Sequence, residues 1–343
     1  MSAEHPGERP SARRPPTMRD VADHVGVSRQ LVSMVLRGVD GPSADSRERI
    51  LAASRELGYR PHLSARLLRQ RSTRLVGLLF DMRNPFEVLV AEGLFARAAA
   101  DGFGLVLGPR TAARSFEHVV GELLEARVEG VVGFNVPFDS EEVADAAALV
   151  PFVLLGERAP GLDRDDVYVD EREGLRLAVQ HLQDLGHTRI AYVGGEGGVV
   201  GRSRAESYRA AMASAGLAGS AEVVASDFFE EGGAAAARRL LARDERPTAI
   251  IACGDQCAVG VMGVLTRAGV PVPEAISVVG FDDSYLAGLS YLRLTSVLQD
   301  VGQTVDGAWT VLQQRLAEPE SGPTHIATTT ALVVRDSTGP ARA

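Results

Sequence analysis

Ser28, Arg29, Gln30 and Ser33 fall within six residues of one another, and their side chains suit the edges of base pairs. An Arg can donate two hydrogen bonds to N7 and O6 of a guanine, and a Gln can pair with an adenine. Short hydroxyls such as those of Thr17, Ser28 and Ser33 suit phosphate oxygens. The charge around them agrees. Residues 1–74 hold 14 Arg against 8 Asp and Glu, whereas residues 75–343 hold 22 against 37. A small basic head on a large acidic body points to a polyanion as the head's partner.

Such side chains need a rigid carrier. Thr17-Met18-Arg19-Asp20 is a helix start in which the Thr hydroxyl can cap free amides. Val21, Ala22 and Val25 follow at helical spacing, and Gly26 allows a tight turn. Ser28 caps a second helix with Leu31, Val32, Val35 and Leu36 on its buried face. Gly38 to Pro42 ends it, and a third helix runs from Ser43 to Gly58. Helix, turn and helix over 17–37 form a helix-turn-helix, whose second helix would present its first residues to the major groove.

The chain of 343 residues is long enough for two or three domains. No run of 18 apolar residues occurs, so no membrane span is expected. Residues 1–16 are rich in Pro, Arg and Glu, lack an apolar segment and read as a disordered arm, so the expected location is the cytoplasm, at the nucleoid. Cys253 and Cys257 are the only cysteines, too few for a disulfide framework or a cysteine-only zinc site. All 36 basic residues are Arg, which excludes a Walker-A loop and a lysine Schiff base.

Beyond residue 75 the pattern changes to short apolar runs separated by helical stretches. The runs are 75–80, 105–107, 130–134, 152–155, 189–193, 223–225, 249–253 and 276–281. A helix is expected at about 301–317 and a last strand at 326–334. Such alternation predicts parallel sheets with helices on both faces, and its length suits two α/β units better than one sheet.

The stretch from Thr17 to Arg37 resembles the head of the lactose-repressor (LacI/GalR) family. The resemblance continues through Arg47–Leu51, Leu57–Pro61, Ala65–Leu68, His181–His187, Ile276–Asp283 and Leu332–Thr338. It spans nearly the whole chain in order. It implies a helix-turn-helix head at 17–61, a hinge helix and linker at 62–73, a core at 74–335 and a tail at 336–343. The implied core is periplasmic-binding-protein-like, with two doubly wound parallel-sheet subdomains at about 74–165 with 295–324 and 166–294 with 325–335. DNA contacts implied by the resemblance are Thr17, Met18, Ser28, Arg29, Gln30, Ser33, Met34, Arg37, Tyr59, His62, Ala65 and Leu68. Leu68 would be the wedge that pries open the central base step, and Ala65 would let paired hinges approach. Two residues depart from the family pattern: Met34 where many members have a base-reading Arg, and His62 where Asn is usual.

In open α/β sheets ligands bind beyond the carboxyl ends of the strands. There stand Asp81, Asn84, Phe86, Arg158, Asp170, Arg204, Asp255 and Asp282, with Phe228 as a candidate stacking aromatic. The resemblance makes these the contacts of a small-molecule effector, such as a sugar or related metabolite. Carboxylates and Arg would grip hydroxyls while an aromatic ring covers the C–H face. Asp255 and Asp282 could alternatively cap the helices that follow. Gly254 and Val200 replace polar residues frequent in the family, which removes hydrogen-bonding capacity from a sugar-type pocket.

The expected function is a DNA-binding transcriptional repressor acting as a homodimer on a pseudo-palindromic operator, with no cofactor and no metal. An enzyme is disfavoured: no G-x-S-x-G elbow occurs, Gly194–Gly198 lacks dinucleotide-loop spacing, and the His residues are scattered. A solute-binding protein would need a signal peptide and no basic head. An activator, or a regulator controlled by a partner protein, would share this fold.

Overall fold

Local side-chain caps set the first three helices. In the computed structural model, α1 (Met18–Val25) starts with Thr17 and Asp20 capping each other's backbone amides. Gly26 then turns the chain with φ 75°, its N–H donating to the Ala22 carbonyl. The Ser28 hydroxyl accepts from the Leu31 amide at the start of α2 (Arg29–Leu36), and Ser43 accepts from Ser46 at the start of α3 (Ala44–Glu56). The three helices bury Val21, Ala22, Val32, Val35, Ile50, Ala53 and Tyr59. They belong to a first unit, Met1–Thr73, separate from the second, Arg74–Ala343. The structure describes residues 14, 16–36, 39–59, 72–111, 113–137, 140–156, 158, 164–196 and 198–342. The expected arm, Arg37, and the hinge positions His62, Ala65 and Leu68 lie outside them.

The second unit holds two six-stranded sheets. Sheet 1 contains β1 (Leu75–Asp81), β2 (Gly104–Arg110), β3 (Gly130–Phe134), β4 (Phe152–Leu155), β5 (Asp165–Val169) and β11 (His325–Thr328). Sheet 2 contains β6 (Ile190–Gly195), β7 (Glu222–Ser226), β8 (Ala249–Ala252), β9 (Ser277–Asp282), β10 (Thr295–Gln299) and β12 (Thr330–Val333). Their orders are β2-β1-β3-β4-β5-β11 and β7-β6-β8-β9-β10-β12, the same winding used twice. All pairings are parallel except β12 on β10. The connecting helices are α4 (Pro85–Ala100), α5 (Phe116–Glu125), α6 (Glu141–Leu149), α7 (Glu171–Asp184), α8 (Gly198–Ser214), α9 (Glu230–Leu241), α10 (Asp255–Arg267) and α11 (Val301–Ala317).

The fold class agrees with the sequence reading, but each crossing between the halves lies elsewhere than expected. β5 pairs with β4 and β11 in sheet 1, although residues from 166 were expected in the second half. β10 was not expected as a strand, and its residues, assigned to the first half, pair with β9 in sheet 2. The expected last strand is two strands: β11 closes sheet 1, Thr329 crosses, and β12 closes sheet 2. The chain crosses only after completing a strand, so the first crossing follows β5 and does not coincide with the Gly/Asp-rich break. Helix α11 crosses back to sheet 1, where Val305, Ala308, Trp309 and Leu312 join the core with Val90 and Leu94 of α4. A Cβ at Gly93 would lie 2.6 Å from Val305, so this helix pair packs closely because position 93 carries no side chain. The Trp309 indole N–H donates to Asp101 at 2.6 Å, satisfying the one polar atom of a buried ring. No helix among the described residues is long and apolar enough to cross a membrane.

Candidate functional site

Doubly wound sheets leave a crevice beyond their strand ends, where the winding reverses. Here the ends of both sheets line one cleft of about 320 Å³. Sheet 1 contributes Asp81, Arg110, Phe134, Asn135 and Leu155 from strand ends, with Asn84, Phe86 and Glu87 from the start of α4. Sheet 2 contributes Val200 and Arg204 from α8, Phe228 and Phe229 after β7, Asp282 ending β9 and Gln299 ending β10.

Arg204 organises the sheet 2 wall. It is 4% exposed; its Nε donates to Glu171 at 2.8 Å and its Nη1 to the Cys253 carbonyl at 2.6 Å, with Asp282 at 3.5 Å. Its guanidinium lies 3.9 Å from the Phe281 ring centre and 5.5 Å from that of Phe228. Burial lowers the pKa of Arg204; Glu171 and Asp282 more than offset that and hold it above the ordinary value. Burial also lifts the Asp282 carboxyl to about 6, against Arg204 and a hydrogen bond donated by Gln299. Asp282 has φ 104° and Asn135 φ 49°, so two cleft residues are held in a backbone region disfavoured for side chains. Such strain costs roughly 1–3 kcal/mol and gathers at ligand clamps.

On the sheet 1 wall Asn84 caps α4, accepting from the amides of Phe86 and Glu87, and Pro85 follows where no donor is needed. Glu87 is 3% exposed and accepts from the Asp81 amide at 2.6 Å and from the Asn84 side chain at 3.3 Å. Burial outweighs these donors and raises Glu87 to about 8, so it is largely neutral at pH 7. The guanidinium of Arg83 bonds both Asp81 oxygens and stacks 3.9 Å above Phe229, tying the two walls together. Arg110 stacks 4.3 Å from Phe116.

Of the residues expected to bind an effector, Asp81, Asn84, Phe86, Arg204, Phe228 and Asp282 come together in this cleft. Three others do not line it. Asp255 points away and accepts from the Ser284 amide and hydroxyl and the Ser296 hydroxyl, which fixes the chain after β9. Asp170 caps α7 by accepting from the Glu173 amide, at the surface. Arg158 is exposed, with its guanidinium 5.6 Å from the Tyr168 ring. Glu87, Arg110, Asn135 and Gln299 were not anticipated. Arg110 escaped because β2 continues through Pro109, which an edge strand tolerates, three residues past the apolar run.

In the head, Arg29 and Gln30 are exposed in the first turn of α2 and Ser33 and Met34 are partly exposed. Thr17 and Ser28 spend their hydroxyls on helix caps. Met18 is half-buried against the core. Tyr59 is 8% exposed and packed within the helical core, and burial raises its hydroxyl pKa.

Residues 17–62 match the model of bacterial regulatory proteins, lacI family, and residues 179–338 match a periplasmic binding protein-like domain. The chain is 33% identical over 338 residues to the HTH-type transcriptional regulator CelR of Thermobifida fusca, covering 95% of this chain and 99% of the relative. It is 33% identical over 327 residues to the ribose operon repressor of Escherichia coli (strain K12), covering 94% and 99%. Among solved structures, the lac repressor dimer bound to operator and the anti-inducer ONPF is 28% identical, with a TM-score of 0.80 over 95% of this chain and all of that one.

Proposed function

The chain belongs to the lacI family of bacterial regulatory proteins, a DNA-binding transcriptional regulator, and on that premise we propose that it is a repressor controlled by a small molecule. Two chains grip a pseudo-palindromic operator in the cytoplasm. Arg29 and Gln30 read base edges, Ser33 and Met34 lie along the same groove, and Arg37 and the hinge residues His62, Ala65 and Leu68 complete the contact. A ligand in the cleft contacts Asp81, Asn84, Phe86, Arg204, Phe228 and Asp282 and alters the angle between the halves. Because it binds the two arrangements unequally, it shifts the DNA-binding population.

One observation carries this reading: the cleft is walled by the strand ends of both sheets, so whatever fills it bears on their relative angle. The relatives support it, since the lac repressor structure is a dimer on operator with a small anti-inducer. The test is to sequence genomic fragments retained by the purified protein and then to titrate candidate metabolites into the complex. Enrichment of a palindromic site, and release or tightening by one metabolite, is the expected result. Retention of DNA without sequence preference would refute it.

A further inference from the structure

We propose that the ligand of this cleft is a hydroxylated acid, a polyol or sugar carrying a carboxylate or phosphate, whose anionic group pairs with Arg110. The inference rests on the reading of the cleft as a ligand site and adds the ligand's chemical class.

The buried polar atoms left without partners define what is missing. Among the described residues, Arg110 Nε, Asn135 Oδ1 and Gln299 Oε1 are buried with no hydrogen-bond partner, and all three residues line the cleft. Buried polar groups are ordinarily satisfied, and each unsatisfied one costs about 1–3 kcal/mol. The assignment of Gln299 is fixed, because its amide nitrogen donates to Asp282 and its oxygen faces elsewhere. Two acceptors therefore await donors, and one cationic donor awaits an acceptor.

The neighbouring carboxylates do not supply that acceptor. Asp81 stands beside Arg110 in the strand register but is held by Nε and Nη2 of Arg83. Glu87 accepts from Asp81 and Asn84, and burial keeps it largely protonated at neutral pH. No carboxylate of the described residues forms an ion pair with Arg110, whereas the charge of Arg204 is balanced by Glu171 and Asp282, and it also donates to the Cys253 carbonyl. Arg110 is thus a cation stacked on one aromatic face, near enough to Glu87 to oppose that acid's rise but without an ion pair, and it lines the cavity. An inorganic anion would answer Arg110 and leave Asn135 and Gln299 unpaired. A neutral sugar could pair its hydroxyls with all three but would bring no counter-charge to the buried Arg110 cation. A molecule with an acid group and hydroxyls satisfies all three, and Phe86, Phe134 and Phe228 supply the apolar surface for its C–H faces.

Calorimetric titration of the full chain tests this with matched probes: glucose, glucuronate and glucose 6-phosphate, galactose and galacturonate, and inorganic phosphate. The expected result is binding of one acid-bearing sugar at least tenfold tighter than its neutral partner, with inorganic phosphate weaker than either. The glucuronate and glucose 6-phosphate arms distinguish carboxylate from phosphate. Arg110→Gln should erase the preference while the melting temperature changes little, since no ion pair of Arg110 is lost and only its stacking on Phe116 is given up. Equal affinity for neutral and acidic members, or a preference that survives in Arg110→Gln, overturns the proposal. In that case neutral sugars whose binding is weakened by Asp282→Asn would leave the ligand site standing without its anionic end. If no probe binds, the proposal falls, and the ligand-site reading is judged separately by the response of operator binding to metabolites.

Discussion

Replacing Arg204 with Met should damage the body of the protein before it affects any ligand. The side chain is buried with two carboxylates, Glu171 at 2.8 Å and Asp282 at 3.5 Å, whose side chains are 8% and 11% exposed. Removing the cation leaves both acids without their counter-charge and frees the Cys253 carbonyl. Breaking a buried ion pair from one side costs about 3–5 kcal/mol. At about 2–4 °C per kcal/mol for a unit of this size, the melting temperature of the body should fall roughly 6–20 °C at pH 8. Part of the cost is relieved by protonation. Asp282 is already lifted to about 6 by burial, and without Arg204 it and Glu171 rise further. At pH 5.5 Asp282 of the variant is therefore largely neutral, and the deficit against the unmodified protein should shrink. Circular-dichroism melts of both proteins at pH 5.5 and pH 8 measure this directly. A melting temperature at pH 8 within 2 °C of the unmodified protein, or a deficit that grows on acidification, would refute the account of Arg204 as the charge clamp of the cleft. It follows that Arg204 variants confound ligand response with folding, and that Asp282→Asn is the cleaner probe of the pocket.

Glu87 is raised from 4.5 to about 8, so its stabilising contribution is complete below about pH 4.5 and is lost as pH rises towards 8. Glu87→Gln cannot ionise, and its melting temperature relative to the unmodified protein should climb from pH 5 to pH 8.5, by on the order of 1–4 kcal/mol in stability; a constant difference across that range would refute the assignment. Arg29→Ala or Gln30→Ala should lose about 1–3 kcal/mol of discrimination at one base position, with little change on random duplex. Equal weakening on every sequence, read by competitive gel shift, would restrict these side chains to phosphates. Leu68→Ala should reduce the bend of the operator in a circular-permutation gel shift while random-DNA binding persists through the Arg residues and counterion release; an unchanged bend would remove the wedge.

Features set by neighbouring residues were legible in the sequence, and features set by long-range pairing were not. The caps at Thr17, Ser28 and Ser43 and the turn at Gly26 each depend on atoms within a few positions, and each is present. β10 was hidden because Thr295 and Ser296, both 0% exposed, interrupt any apolar pattern. Their hydroxyls are satisfied by the Arg335 carbonyl and by Asp255, partners 40 and 41 residues away. Asp255 and Asp282 look alike in sequence, each at the end of a strand, yet one ties a loop and the other faces the cleft. Glu87 resembles a surface acid in the first turn of a helix; only the fold buries it.

The three crossings have a consequence in time. Sheet 1 awaits α11 and β11, and sheet 2 awaits β12, so the first half is incomplete until residue 328 and the second until residue 333 has been made. The head needs only the residues up to Tyr59 for its core. At roughly 5–20 residues per second, the ribosome takes roughly 15–55 s to pass from one point to the other. During that interval a nascent chain carries a finished reader of DNA with neither ligand control nor a partner. A single head touches too few bases for tight binding, so under the proposed pairing of two chains the unfinished chain would not occupy operators before it can be regulated.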